Sequence, residues 1–186
     1  MTTPARNVER RAVQAVRDGD RESFGTLVEL HQRQLFGLSL MMVRDPAAAE
    51  EVAQDAFVRA YTRLDLYDEN RPFYPWLAAI TVRLAQNWLQ RHTRVQQVEG
   101  VPLGPEMEPV SPANPLRDLI TDEDDQQLWR SVAALPSGQR TAVYLHYRQD
   151  MKVRDVAQAL GVTSGTVKTL LFRARRNLRQ SSGIMK

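Results

Sequence analysis

The stretch VRDVAQALGVTSGTVKTLLFRARRNLR, residues Val153–Arg179, contains two sets of apolar residues with the i, i+3, i+4, i+7 spacing of amphipathic helices. Between the two sets, Gly161 suits the left-handed conformation that ends a helix, and Ser164 or Thr163 can cap the next helix. Small Ala157 stands where the two helices must cross closely. This pattern predicts a helix-turn-helix, a motif whose second helix enters the DNA major groove.

The second helix of this motif has a basic outer face. At 100° per residue one side is apolar, and the opposite side carries Gly165, Thr169, Phe172, Arg173 and Arg176. The helix contains no acidic residue, so this face suits a polyanion, and its N-terminal end favours a phosphate group. An ordinary helical hairpin with a solvated basic face is the alternative. Phe172 fits either a DNA contact or a protein interface.

The composition is that of a soluble globular protein. The chain has 186 residues, of which 42% are hydrophobic, and it contains no cysteine, which excludes disulfides and thiolate metal sites. The N-terminus lacks the apolar core of a signal peptide, and no apolar run approaches the ~18–20 residues of a membrane span. We therefore expect a cytoplasmic protein with no direct membrane insertion.

Charge divides the chain into three parts. The first 95 residues carry a net charge of +1, residues 96–126 carry −7, and residues 127–186 carry +9. The middle part also holds five of the ten prolines, so it cannot bury enough surface to fold alone. These features predict an all-α protein with two small helical domains, 1–95 and 126–186, joined by a flexible Pro-rich acidic linker, 96–125.

The apolar pattern of the N-terminal part predicts helices separated by one irregular segment. Asp45 and Pro46 form a helix cap and a first helical residue. The segment from Asp65 to Tyr74 has no apolar periodicity, and a further helix should begin at Pro75. The buried side of that helix is expected to consist of Leu77, Ile80, Leu84 and Trp88.

A polar stripe on this last helix adjoins the aromatic-rich segment. The stripe consists of Arg83, Asn87, Gln90 and Arg94, with Trp76 near its N-terminal end. Single-stranded nucleic acid needs such a combination, because cationic groups bind its backbone and flat rings stack on its bases. The alternative for Phe73, Tyr74 and Trp76 is that they fill a small core.

No pattern in the sequence indicates catalysis. There is no Ser/His/Asp arrangement, phosphate-binding glycine loop or HExxH motif, and the three histidines are scattered. The acidic run Asp122–Asp125 is more typical of a solvated linker than of a metal site. We therefore expect no enzyme activity, no cofactor and no metal.

Taken together, the two halves resemble the extracytoplasmic-function group of bacterial RNA polymerase sigma factors. DPAAAEEVAQDAFVRAY is similar to the segment by which that family docks on the clamp helices of the largest polymerase subunit. RPFYPWLAAITVRLAQNWLQR is similar to its segment that melts the promoter and reads the minus-ten element, and ALPSGQRTAVYLHYRQDMKVRDVAQALGVTSGTVKTLLFRARRNLR is similar to its domain that reads the minus-thirty-five element.

The resemblance implies three sets of functional residues. The residues implied to bind polymerase are Glu51, Gln54, Asp55, Val58 and Arg59. The residues implied to bind the minus-ten element are Tyr67, Asn70, Arg71, Phe73, Tyr74, Trp76, Arg83, Asn87 and Arg94. The residues implied to bind the minus-thirty-five element are Arg140, Ser164, Gly165, Thr166, Lys168, Thr169, Phe172, Arg173, Arg175 and Arg176. Among them, Arg140, Arg175 and Arg176 would bind phosphates.

The resemblance also implies partners. They are promoter DNA and core RNA polymerase, with contacts to its clamp helices and to the flap of the second-largest subunit. An anti-sigma factor is a further implied partner, and it could hold the chain at the inner face of the membrane. A transcription regulator of the response-regulator effector type is the alternative, because it shares a similar helix-turn-helix. Its N-terminal half should then be an α/β sensor or receiver domain.

Overall fold

A computed structural model describes the backbone of residues 3–98 and 123–181 and the side chains of residues 6–93 and 128–180. Over these residues the chain forms eight α-helices and no strand, which confirms the all-α class. The helices are α1 (Thr3–Arg17), α2 (Phe24–Val43), α3 (Pro46–Thr62), α4 (Phe73–Val98), α5 (Glu123–Ala133), α6 (Ser137–Val143), α7 (Val153–Leu160) and α8 (Ser164–Ser181). Most of the predicted linker, residues 99–122, lies outside the described residues.

The junction between α2 and α3 is set by three consecutive residues. Arg44 has a left-handed backbone with φ of 62°, and its N–H donates to the carbonyl of Leu40, which ends α2. The Asp45 carboxylate then accepts a hydrogen bond from the Ala48 N–H at 2.7 Å, and Pro46 is the first residue of α3. The predicted cap is confirmed.

The N-terminal unit consists of α1 to α4. α2, α3 and α4 pack against one another, and α1 packs on α2. Fully buried leucines fill the centre of this unit, namely Leu27, Leu35, Leu38 and Leu77. Within the described parts of the chain, no helix combines the length and the apolar character that crossing a membrane requires.

The C-terminal unit consists of α5 to α8. Gly161, with φ of 67°, ends α7 as predicted. Thr163, rather than Ser164, caps α8, because its hydroxyl oxygen accepts from the Thr166 N–H at 3.1 Å. α6 continues into a wider π-helical turn, Tyr144–Arg148, which brings the chain round to α7.

The two units pack directly on each other. α6 lies against α2, and α7 lies against α4, so their buried side chains form one continuous cluster. On the α4 side, the Arg71 guanidinium also donates to the Gln158 side-chain oxygen at 3.1 Å. The buried face of α4 differs from its predicted stripe. Leu77 is buried as expected, but Ile80 and Leu84 are only half-buried. The additional buried residues are Ala78, Thr81, Val82 and Ala85. Trp88, expected to be buried, is half-buried and stacks on His92.

Candidate nucleic-acid and polymerase interfaces

α8 presents its predicted basic face to solvent. Its opposite side is held in the C-terminal unit by Val167, Leu171 and Ala174, each at most 3% exposed. The helix carries five basic residues and no acidic one. Nine of the ten residues expected to contact the minus-thirty-five element lie on α8, and all nine are exposed: Ser164, Gly165, Thr166, Lys168, Thr169, Phe172, Arg173, Arg175 and Arg176.

The start of α8 leaves room for close approach of a ligand. A Cβ atom added at Gly165 would meet only the Thr163 hydroxyl oxygen, at 3.6 Å, so the protein itself does not require glycine there. The Thr169 hydroxyl donates to the Gly165 carbonyl at 3.1 Å, one turn back along the helix. A helix N-terminus that is open on its outer side can bind a phosphate group.

Arg140, the tenth expected residue, does not face solvent. Its side chain is buried, and its guanidinium donates to the backbone carbonyls of Met41, Ala133 and Leu135. Burial, together with the nearby Arg44, lowers the pKa of Arg140 to about 10. In this arrangement Arg140 cannot contact a DNA phosphate, so its expected accessibility is wrong.

The aromatic side chains before α4 form a small core rather than a stacking surface. Tyr67, Phe73 and Tyr74 are at most 5% exposed. The Phe73 ring lies 5.2 Å from the Tyr67 ring, edge to face, and 5.5 Å from the half-buried Trp76 ring. Burial raises the pKa of Tyr67 to about 12 and that of Tyr74 well above its usual range. In this arrangement the rings of Tyr67, Phe73 and Tyr74 are closed to bases, and for Phe73 and Tyr74 the core-filling alternative applies.

Helix α1 fixes the backbone of the aromatic segment. Arg17 donates to the carbonyls of Leu64 and Tyr67 at 3.0 and 2.7 Å, and it also contacts the Glu69 carboxylate. Arg6 donates to the carbonyl of Asn70 at 2.7 Å. The loop geometry is thus set largely by arginines from a distant part of the sequence.

A buried polar pair lies beneath this segment. Glu9 and His31 are 2.9 Å apart between carboxylate and ring nitrogen, and both side chains are 2% exposed. The His31 ring lies 5.6 Å from that of Phe73, and the charge of Glu9 contributes, after burial, to the raised pKa of Tyr67. Neither Glu9 nor Arg17 was expected at the site, because nothing in their local sequence distinguishes them from surface charges.

The polar stripe of α4 and the tip of the loop remain accessible. Arg83 and Asn87 are exposed, as are Asn70 and Arg71 in the loop. The backbone N–H of Asn70 donates to the Asp68 carboxylate, which holds the pKa of Asp68 below its usual range. The side chain of Arg94, the last residue of the stripe, lies outside the described residues.

The expected docking face of α3 is also exposed. Val52, Ala56 and Ala60 point inward and are at most 3% exposed. On the other side lies a mixed surface of charged and apolar groups, made of Glu51, Gln54, Asp55, Val58 and Arg59. Val58 is 62% exposed, so the centre of this face is an apolar side chain without cover in the described residues.

Comparison with known families divides the chain in the same way. Residues 27–95 match Sigma-70 region 2, and residues 125–178 match Sigma-70, region 4. The chain is 27% identical to the ECF RNA polymerase sigma factor SigW of Bacillus subtilis, over 92% of this chain and 95% of that one. It is 29% identical to the ECF RNA polymerase sigma-E factor of Escherichia coli, over 88% of each. The chain belongs to the extracytoplasmic-function group of sigma factors.

A third relative is longer. The chain is 32% identical to the probable RNA polymerase sigma factor RfaY of Xanthomonas campestris. The match covers 87% of this chain but only 40% of RfaY. The helical N-terminal unit and its match to region 2 do not favour the response-regulator alternative, which requires an α/β partner domain.

Two solved structures share the fold of this sigma factor. One is CnrH in complex with the cytosolic domain of CnrY, with a TM-score of 0.65, 21% identity, and coverage of 96% of this chain and 99% of that one. The other is the sigma factor RpoE of Bartonella quintana in complex with the anti-sigma factor NepR, with a TM-score of 0.71, 21% identity, and coverage of 89% and 99%.

Proposed function

We propose that this sigma factor binds core RNA polymerase through α3 and directs it to promoters through two DNA contacts. α8 reads the minus-thirty-five element as duplex, and the α4 stripe with the adjoining loop reads the minus-ten element as a melted strand. The single observation that carries this proposal is the outer face of α8. Nine exposed positions extend along it from the capped helix start to Arg176, and the helix carries no carboxylate.

The duplex contact combines base reading with phosphate binding. Lys168 and Thr169 lie in the second turn of α8 and Arg173 in the third, all exposed, and in this proposal they meet base edges in the major groove. Arg175 and Arg176 lie further along and bind phosphates. A bidentate contact from an arginine to a guanine supplies about 1–3 kcal/mol of discrimination.

The single-strand contact uses a rigid loop and a polar helix face. Buried rings at Phe73 and Tyr74 keep the loop backbone in one shape, so that its exposed polar atoms can receive an unstacked base. Trp76 is the half-buried ring of this group. In this proposal its accessible part contacts a base. Arg83 and Asn87 hold the flanking strand, and Arg94 extends the same stripe.

The proposed partners follow from the family to which the chain belongs. The α3 face contacts the clamp helices of the largest polymerase subunit, and the C-terminal unit contacts the flap of the second-largest subunit. NepR is the anti-sigma factor in the similar RpoE complex, and we propose a partner of the same class here. The protein would act in the cytoplasm, where an anti-sigma factor could hold it at the inner face of the membrane.

The polymerase contact is tested by reversing charge on α3. Replacing Glu51 and Asp55 by Lys should abolish co-purification with core polymerase, because two exposed carboxylates become cations on the docking face. Glu29→Lys, an exposed carboxylate on α2, is the control and should leave co-purification intact. Unchanged association of the doubly substituted protein would contradict the docking face.

The whole proposal is tested by transcription. Core polymerase and a promoter library should give start sites at defined positions only when the sigma factor is added. Random initiation, or none, would contradict the proposed function.

A further inference from the structure

Helix α1 lies outside the segments that match the two sigma regions, since the region 2 match begins at residue 27. It nevertheless supplies two arginines to the backbone of the loop before α4. Arg17 donates to the carbonyls of Leu64 and Tyr67 at 3.0 and 2.7 Å. Arg6 donates to the carbonyl of Asn70 at 2.7 Å. Two side chains from an unmatched helix are therefore bonded to the loop that the proposed function assigns to the melted strand.

Arg6 and Arg17 reach the loop from the two ends of α1. They are eleven residues apart in the sequence. In an α-helix this separation is roughly three full turns, or about 16 Å along the axis, so both side chains leave the same face. A hydrogen-bonded helix is stiffer than a loop. The two points from which the arginines donate therefore keep a constant spacing while the loop fluctuates.

α1 is itself fixed on α2 by a buried polar pair. The Glu9 carboxylate lies 2.9 Å from a ring nitrogen of His31, and both side chains are 2% exposed. Val13, one turn further along α1, is fully buried. Because a buried polar group without a partner costs free energy, the pair favours one register of α1 on α2. That register places Arg6 and Arg17 beside the loop.

The tip of the loop has bonded backbone groups although its side chains are exposed. The N–H of Asn70 donates to the Asp68 carboxylate at 3.0 Å, and the Asn70 carbonyl accepts from Arg6. The N–H of Arg71 donates to the Asp68 carbonyl at 3.0 Å, and the Arg71 carbonyl accepts from the Tyr67 hydroxyl at 2.5 Å. Backbone groups in surface loops otherwise bond to water, which leaves the loop free to change shape. These four hydrogen bonds instead favour one conformation of the tip.

We propose that Arg6 and Arg17 are positioning residues for the melted-strand contact, acting through their hydrogen bonds to the loop rather than through contacts with DNA. The inference rests on the proposed function of the loop. A loop that is fixed before binding loses little further conformational freedom when a base arrives, so its contacts discriminate fully between bases. Without the two arginines, binding of the correct base must also order the loop, and the discrimination falls.

The test measures base discrimination by the holoenzyme. Core polymerase with the full-length chain is titrated with labelled single strands that carry a minus-ten element found by start-site mapping, and with strands in which one base of the element is replaced. Arg17→Ala and Arg6→Ala should each lower the ratio of the two affinities about twofold to tenfold, because ordering the loop then opposes binding of the correct base. Affinity for a duplex that carries only the minus-thirty-five element should not change. Arg11→Ala, at an exposed position on another face of α1, is the matched control and should preserve the ratio.

Lysine substitutions separate positioning from direct DNA contact. Arg6 is exposed and donates to one carbonyl, so Arg6→Lys should fold and should restore the discrimination. Arg17 uses one terminal nitrogen for two carbonyls and the other for the Glu69 carboxylate, which a single ammonium group cannot reproduce. Arg17→Lys should therefore restore the discrimination only in part. The slope of affinity against salt concentration should stay the same in every variant, because no phosphate contact is lost.

Two results would overturn the inference. Unchanged discrimination in both alanine variants would show that the loop needs no support from α1. Equal loss of affinity for every strand, with a shallower salt dependence, would show that the arginines bind DNA phosphates instead. Specific initiation by the unaltered protein separates the two levels. If it occurs while the variants keep their discrimination, only the inference fails; if the unaltered holoenzyme neither initiates specifically nor discriminates between strands, the proposed function fails.

Discussion

The two candidate DNA contacts of this sigma factor are built in opposite ways. In the C-terminal unit, the recognition helix points its expected contact residues outward, and Phe172 is 65% exposed. In the N-terminal unit, the aromatic segment points its rings inward, and Phe73 is fully buried. One contact is a surface carried by a regular helix, whereas the other is a loop whose shape depends on a core beneath it.

The difference has a physical origin. Duplex DNA presents a regular groove, and a straight helix with a polar outer face fits it without rearrangement. A melted strand presents separate bases, and a binding loop for them must be rigid before it binds, since ordering costs affinity. In the proposed minus-ten contact, the buried rings of Tyr67, Phe73 and Tyr74 would supply that rigidity.

Substitutions of Phe73 and Phe172 should give the largest difference in folding stability. Phe73→Ala should destabilise the fold by about 3–5 kcal/mol, because it empties a fully buried position. Phe172→Ala should change stability by no more than about 0.5 kcal/mol, because the ring is mostly exposed, while weakening duplex binding. Urea denaturation and fluorescence anisotropy with duplex DNA measure the two effects. Equal loss of stability in both variants would remove the distinction between the two contacts.

Arg173→Ala tests the recognition helix alone. Loss of a base contact should weaken binding to the minus-thirty-five element by about 1–3 kcal/mol while core polymerase binding survives. Arg130→Ala, an exposed arginine on α5, is the control. Loss of polymerase binding with intact DNA affinity would contradict the placement of Arg173 in the groove.

The pH dependence of stability tests the burial of Tyr67 beneath the loop. The pKa of Tyr67 is raised to about 12 in the folded protein, so the stability it contributes is complete below pH 10 and is lost as the pH rises through about 12. Tyr67→Phe should cost about 1 kcal/mol near neutral pH, since the hydroxyl donates to the Arg71 carbonyl at 2.5 Å, and should flatten the alkaline loss. Urea midpoints between pH 7 and 12 measure both. An alkaline profile identical to that of the unaltered protein would show that Tyr67 does not titrate within the core.

Sequence predicts the recognition helix well because its signals are local. Gly161 and Thr163 fix the turn, and the 3.6-residue period separates the apolar face from the basic one, so exposure at Arg173 and Arg176 follows directly. The helical period also indicates burial of Arg140, because Arg140 shares a helical face with Val143 and Tyr144, both of which are buried.

The loop and the packing of α4 depend on contacts between distant residues. Glu9 pairs with His31, and Arg17 binds carbonyls about fifty residues away, but each is an ordinary charged residue on an amphipathic helix. Val82 is buried although it lies off the predicted apolar stripe of α4. α4 packs against α2, α3 and α7, which the sequence of one helix cannot reveal. Periodicity states which face of a helix is apolar, and it does not state how many partners that helix has.

Substitution of Gly165 should have a small effect on stability and separates folding from DNA binding. Its backbone lies in the first turn of α8, and an added Cβ would make only an ordinary contact within the protein. Gly165→Ala should therefore stabilise the fold by about 0.5–1 kcal/mol, because alanine loses less conformational freedom in a helix. The same methyl group would stand between the helix start and the DNA backbone, so duplex affinity should fall while stability rises. Gly25→Ala, in an equally open position on α2, should stabilise the fold without affecting duplex binding. If Gly165→Ala raises stability and leaves affinity unchanged, the start of α8 does not approach the DNA closely, and the recognition helix must bind through its later turns.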